Sequence, residues 1–134
     1  GYGRYGKKCV KTMMRLMAEK ESIGVVSDQF GAPTYAADLA EAILQIINRF
    51  EKPASGIYHY SNLGLISWFD FARAIKEISK SNCIVNPIET AAYPTPAKRP
   101  HYSVLDTTKL RETFGINIPG WKESLEKCMA LLNA

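Results

Sequence analysis

Apolar positions along the chain follow two periods that alternate. Between Lys8 and Lys20, Val10, Met13, Met14 and Met17 recur at helical spacing. Ile23-Gly24-Val25-Val26-Ser27 follows as a short β-rich run and reads as a strand. From Tyr35 to about Phe50 the helical pattern is strong, with Leu39, Ile43, Ile46, Ile47 and Phe50 on one face. Asp38 falls in the first turn of that helix, where the dipole favours a carboxylate. Pro53-Ala54-Ser55-Gly56 predicts a turn, and Ile57 to Ser61, rich in aromatic residues, predicts a strand. Ser67 and Asp70 form an S-x-x-D capping pattern that opens a helix with Trp68, Phe71, Ala72, Ile75 and Ile78 facing inward. Cys83 to Ile88 reads as a strand closed by Pro87. Asp106 is placed to cap a helix from Thr107 to Phe114, which Gly115 ends. Trp121 then opens a last amphipathic helix with Leu125, Cys128, Met129 and Leu132 on one face. The sum is a small α/β (α+β) domain of four or five helices, a few short strands and an incomplete sheet.

Composition narrows the class without changing that picture. With 134 residues, 46% hydrophobic and 22% charged, the chain has the make-up of one ordinary globular domain with a modest core. No apolar run approaches the roughly 20 residues that span a bilayer, and the opening Gly1-Tyr2-Gly3-Arg4 has no signal-peptide pattern. Cys9, Cys83 and Cys128 are odd in number, widely spaced and set among apolar neighbours, so they read as reduced, buried thiols of a cytoplasmic protein. The net charge of +4 comes partly from Arg4, Lys7, Lys8, Lys11 and Arg15. A basic start can serve a nucleic acid, but no stacking platform or recognition motif accompanies it, so no nucleic-acid partner is expected.

Candidate chemistry concentrates in loops. Pro94, Pro96 and Pro100 stiffen a segment that carries Lys98 and Arg99 side by side. A stiff loop with a guanidinium and an ammonium suits a phosphate or carboxylate; the plain alternative is a linker with solvated charges. Asp28-Gln29-Phe30-Gly31-Ala32-Pro33-Thr34 is a second constrained loop. There Asp28 can serve a turn and Thr34 can cap the next helix, whereas Gln29 has no local duty and is the better ligand candidate. Asn62, in the turn after the Ile57–Ser61 strand, is a third candidate. His59 has no nucleophile or carboxylate at a recognisable spacing and reads as a packed or hydrogen-bonded strand histidine. The methionine stripe admits three readings: an adaptable groove, a core face, or a face toward another domain. Gly1-Tyr2-Gly3-Arg4-Tyr5-Gly6 matches G-x-G-x-x-G, but no strand precedes it to deliver a pyrophosphate to a helix. None of the seven tyrosines has a lysine four residues on, and no metal-ligand cluster or nucleophile elbow is present.

Three stretches in order resemble the dTDP-4-dehydrorhamnose reductases, a family of extended short-chain dehydrogenases. They are Asp28-Gln29-Phe30-Gly31-Ala32-Pro33-Thr34-Tyr35, then Tyr58-His59 through Ser67-Trp68 to Phe71-Ala72, then Tyr93-Pro94-Thr95-Pro96-Ala97-Lys98-Arg99-Pro100 with Ser103-Val104-Leu105-Asp106. The resemblance implies that residues 1–134 are a single C-terminal substrate-binding domain, without the N-terminal Rossmann domain that carries NADPH and a Tyr-x-x-x-Lys pair. It implies no catalytic residue in this chain, and substrate contacts from Gln29, Pro33, Thr34, Asn62, Lys98 and Arg99, with Arg99 on the diphosphate of a dTDP-sugar. It implies the missing Rossmann domain as a partner, with a homodimer as a further possibility, and no cofactor held by this chain alone. An alternative within the same lineage is a non-catalytic regulatory subunit that partners methionine adenosyltransferase.

Overall fold

The computed structural model describes residues 9–49, 54–93, 96 and 98–133. The glycine-rich start with Arg4, Lys7 and Lys8, the expected apolar contact of Phe50, the turn residue Pro53, and Pro94, Thr95 and Ala97 of the stiff loop lie outside the described residues. The order is α1 (Cys9–Glu19), β1 (Ser22–Val26), β2 (Phe30–Gly31), α2 (Ala36–Asn48), β3 (Ile66–Ser67), α3 (Trp68–Ser79), β4 (Ile84–Ile88), α4 (Thr108–Phe114) and α5 (Trp121–Asn133). A single 3-10 turn, Thr90–Ala92, follows β4.

The third helix is the hub. Phe71, Ala72, Ala74 and Ile75 are buried, and α3 packs against α1, α5, β1, β3 and β4. Its start is fixed as the S-x-x-D pattern predicts: Ser67 Oγ accepts from the Asp70 N–H at 3.1 Å, and the Asp70 carboxylate accepts from the Ser67 N–H at 3.0 Å. Val10 and Met17 of α1 and Leu125, Cys128 and Met129 of α5 complete this core. The methionine stripe is therefore mainly a core face, with Met13 and Met14 packed at its margin. Ala42, Leu110, Ile116 and Ile118 form a second, smaller cluster.

Among the described residues the strands form two two-stranded sheets. Strands β1 and β4 pair in parallel, from Ser22 with Ile84 to Val26 with Ile88. Pro87 lies inside β4, which an outer strand tolerates because its missing N–H faces away from the ladder. β2 and β3 pair antiparallel, Phe30 with Ser67 and Gly31 with Ile66.

Several expectations give way. Ile57 to Ser61 forms no ladder with any described strand, and Ile57 is 78% exposed. A strand needs a neighbour to satisfy its backbone, and here the segment is held by side chains instead. Lys109 Nζ donates to the Ile57 carbonyl at 3.1 Å and the Tyr58 hydroxyl to the Ala54 carbonyl at 3.0 Å. His59 is exposed, not packed. The apolar face of α2 is present as the pattern indicates, and it is open: Ala42 is buried while Leu39, Ile43 and Ile47 are exposed. Thr34 does not cap α2, whose N-cap is Tyr35 and whose first turn receives no side-chain capping bond. Asp38 does more than answer the helix dipole. Its carboxylate accepts from Asn62 Nδ2 at 2.7 Å and from the Ser124 hydroxyl in a very short hydrogen bond, which staples α2 to α5.

Candidate functional site

The loop after β1 and the loop before α4 are sewn together, and a cavity lies beside the seam. The Phe30 N–H donates to the His101 carbonyl at 2.7 Å, and the Ser103 N–H to the Phe30 carbonyl at 2.9 Å. These bonds form a parallel bridge between Phe30 and Tyr102, so β2 has β3 on one side and this segment on the other. Gly31 permits the approach, because a Cβ there would stand 3.0 Å from Ser103 Oγ. His101 Nδ1 lies 2.9 Å from the Asp28 carbonyl and adds a side-chain tie.

The cavity has a volume of about 440 Å³. Its apolar wall comes from Met13 and Leu16 of α1, from Ile23 to Val26 of β1, and from Trp68 and Phe71 of α3. Cys9 is also in this wall, and burial pushes its thiol up, which keeps it neutral. Polar groups enter from the joined loops: Gln29, Thr34 and Arg99, with Pro33 between. Arg99 is exposed and makes no ion pair with any described residue. A fixed apolar wall facing an amide, a hydroxyl and a guanidinium suits a ligand with a flat or apolar body and an anionic group.

Of the six residues singled out from sequence, the fold brings Gln29, Pro33, Thr34 and Arg99 to this one cavity. Lys98 is exposed and stands outside its wall. Asn62 is a different case and corrects the ligand expectation. It is 1% exposed; its Oδ1 accepts from the Tyr35 N–H at 2.8 Å, and its Nδ2 donates to Asp38 at 2.7 Å and to Ser124 Oγ at 2.9 Å. Those bonds consume the amide, so its work is structural. Spacing alone does not reveal two neighbours of these candidates, Thr90, which Gln29 Nε2 bonds at 3.0 Å, and Tyr93 in the cavity wall. Thr90 lies 61 positions from Gln29, and only the β1–β4 pairing brings them together.

A larger and shallower groove of about 810 Å³ runs along α3, lined in part by Arg73, Lys76, Lys80 and Lys122. It collects none of the six residues, and two of its charges are engaged: Lys122 lies 3.6 Å from Glu77, and Arg73 stacks over Phe69. Among the described residues no group of His, Cys, Asp and Glu could hold a metal, and no helix is long and apolar enough to cross a membrane. Among the described residues no G-x-G-x-x-G turn joins a strand to a helix.

The family model described as the RmlD substrate binding domain matches residues 2–134. The chain belongs to that family. Among curated relatives, the dTDP-4-dehydrorhamnose reductase of Aggregatibacter actinomycetemcomitans is 41% identical over 96% of this chain and 47% of its own length. The spore coat polysaccharide biosynthesis protein SpsK of Bacillus subtilis is 42% identical, over 94% of this chain and 43% of its own. The crystal structure of dTDP-4-dehydrorhamnose reductase from Bacillus anthracis in complex with NADP superposes with a TM-score of 0.87 at 41% identity. It covers 97% of this chain and 45% of that one. The chain thus spans about half the length of the relatives it matches. The mixed α/β fold with five helices and a few short strands is that of the substrate-binding domain in these RmlD-type proteins.

Proposed function

We propose that this chain is the nucleotide-sugar-binding lobe of a dTDP-4-dehydrorhamnose reductase. The observation that carries the reading is the convergence of Gln29, Pro33, Thr34 and Arg99 on one cavity in a chain of the RmlD substrate-binding family. In that role the Arg99 guanidinium grips the diphosphate of a dTDP-sugar through paired, charge-assisted hydrogen bonds. Gln29 and Thr34 offer hydrogen bonds to the base or the hexose, and the wall of Met13, Val25 and Phe71 excludes water from one side. When bound to the other half of the enzyme, NADPH supplies the hydride that reduces the 4-keto group. The part played by this chain is affinity and orientation, which place the keto carbon in a fixed position for that transfer. Three free cysteines and a nucleotide-sugar ligand accord with a cytoplasmic setting.

The surface of α2 supports the presence of such a second half. Leu39, Ile43, Leu44 and Ile47 are 36%, 48%, 55% and 64% exposed on one short helix. Ala42 and Ile46 of the same helix pack with Tyr58 and Tyr60, beside the segment that reads as a strand yet finds no neighbour. An open apolar helix next to an unpaired strand-like segment suits docking onto the edge of an adjoining sheet. We assign this face to the upstream, cofactor-carrying half in preference to a second copy of this chain.

The test is an NMR titration of this chain with dTDP, with UDP as control, followed at the amides of residues 28–34 and 98–103. Shifts confined to those loops are expected, and Arg99→Ala should weaken them about ten- to a hundredfold, the worth of a lost charge-assisted pair of about 1.5–3 kcal/mol. Equal shifts in wild type and Arg99→Ala, or shifts located elsewhere, would remove Arg99 from the anion site.

A further inference from the structure

Gln29 offers the cavity either a carbonyl or an amino group, and its neighbours decide which. Asp28 Oδ1 accepts from the Thr90 N–H at 2.9 Å and from the Thr90 hydroxyl at 2.7 Å. Gln29 Nε2 in turn lies 3.0 Å from Thr90 Oγ1. A threonine hydroxyl has one proton, and an ionised carboxylate can only accept. Once that proton is given to Asp28, the Thr90 oxygen can only accept from Gln29, so the amide nitrogen must face it. The reverse orientation would set two acceptors against each other. The Thr90 hydroxyl holds the Asp28 carboxyl below the usual carboxylate range, so this polarity persists at neutral pH.

The amide oxygen is then left for the cavity. Gln29 is 8% exposed and lines the cavity, and its Oε1 has no hydrogen-bond partner among the described residues. We propose that Asp28 and Thr90 are positioning residues that lock the Gln29 amide with its oxygen toward the cavity, so that the site selects a ligand carrying an N–H or O–H donor at that point. The inference rests on the nucleotide-sugar reading of the same cavity. In such a ligand the donor is either the base N–H or a hexose hydroxyl.

Two Thr90 variants separate this relay from simple packing. Thr90→Val keeps the volume and removes the hydroxyl, whereas Thr90→Ser keeps the hydroxyl and removes a methyl. The first readout needs no ligand: the Gln29 side-chain NH2 resonances of this chain. Wild type and Thr90→Ser should share dispersed, slowly exchanging signals, and Thr90→Val should move them toward those of free glutamine. Unchanged Gln29 signals in Thr90→Val would overturn the relay. The second readout is affinity for three probes: dTDP, N3-methyl-dTDP and dTDP-glucose. Loss of one hydrogen bond corresponds to about three- to tenfold. If the base is the donor, N3-methylation should weaken binding by that factor in wild type and not in Thr90→Val. If the hexose is the donor, dTDP-glucose should gain over dTDP in wild type alone. Identical probe ranking in wild type and Thr90→Val would overturn the selection. Binding of no probe by wild type would instead refute the nucleotide-sugar reading, and the amide signals would still decide the relay.

Discussion

Replacing Asn62 by alanine separates a structural role from a ligand-binding one, and the cost can be worked bond by bond. The substitution strips the buried Tyr35 N–H of the acceptor it holds at 2.8 Å, a loss of about 1–3 kcal/mol. It also takes a donor from the Asp38 carboxylate and from Ser124 Oγ, for which about 1–2 kcal/mol more is reasonable, since Ser124 still donates to Asp38. The total is about 2–5 kcal/mol, against a stability on the order of 7–20 kcal/mol for a domain of this length. With a urea slope of about 1–3 kcal/mol/M, the midpoint should fall by roughly 0.7–5 M at unchanged slope. Tryptophan fluorescence is a suitable probe, because Trp121 opens α5 beside the staple. Asn62→Asp should fare no better, since it places a second carboxylate against Asp38. A midpoint within about 0.5 M of wild type, accompanied by loss of dTDP binding, would refute the structural assignment and return Asn62 to the binding site.

Two further outcomes follow from the surface and from titration. Ile43→Glu and Ile47→Glu alter exposed positions of α2, so each should leave the urea midpoint of this chain nearly unchanged and abolish its association with the upstream half supplied in trans; unfolding by either change would show that the face is core. Burial, aided by the nearby Asp38 charge, pushes the Tyr60 hydroxyl up to about 12, so between its ordinary value of 10 and that value the unfolded chain loses a proton which the folded one keeps. Stability should therefore fall as pH rises through that window, and urea midpoints from pH 8 to 12 should show a shallower decline in Tyr60→Phe; parallel declines would place the effect elsewhere.

Local rules were legible where both partners lie close in sequence. The Ser67–Asp70 capping box, the left-handed Gly115 that ends α4 and the apolar stripes of α3 and α5 appear as the residue patterns indicate, except that Trp68, expected to face inward, is 38% exposed at the start of α3. Asp106 also acts near its expected place, accepting from the Thr108 N–H at 2.9 Å, although the N-cap itself is Thr107. The misses share one cause. Asp28 read as a local turn residue, yet its acceptor oxygen serves Thr90; Asn62 read as a loop ligand, yet it is enclosed by Tyr35, Asp38 and Ser124. Periodicity reports which face of an element is apolar, but not which distant polar group will meet it. The helix α2 shows the same limit from the other side: the stripe is real, yet Leu39, Ile43 and Ile47 remain exposed against the described residues.

The parallel pairing of β1 with β4 sets the order in which this chain can acquire its site. Ser22 and Ile84 are partners, and a parallel ladder cannot be closed by a hairpin, so the loop between them must be gathered before any of its bonds form. Gln29 leaves the ribosome before Thr90, Arg99 and His101, which reach it only after α2 and α3 have been made. The cavity is thus a late event of folding, governed by non-local contacts that slow the reaction. A nascent or clipped chain ending before residue 84 would carry the Asp28–Thr34 loop with no ladder partner and no arginine. Binding competence and completion of the fold are therefore one transition, and a ligand of this cavity would act as a reporter of chains that have finished folding.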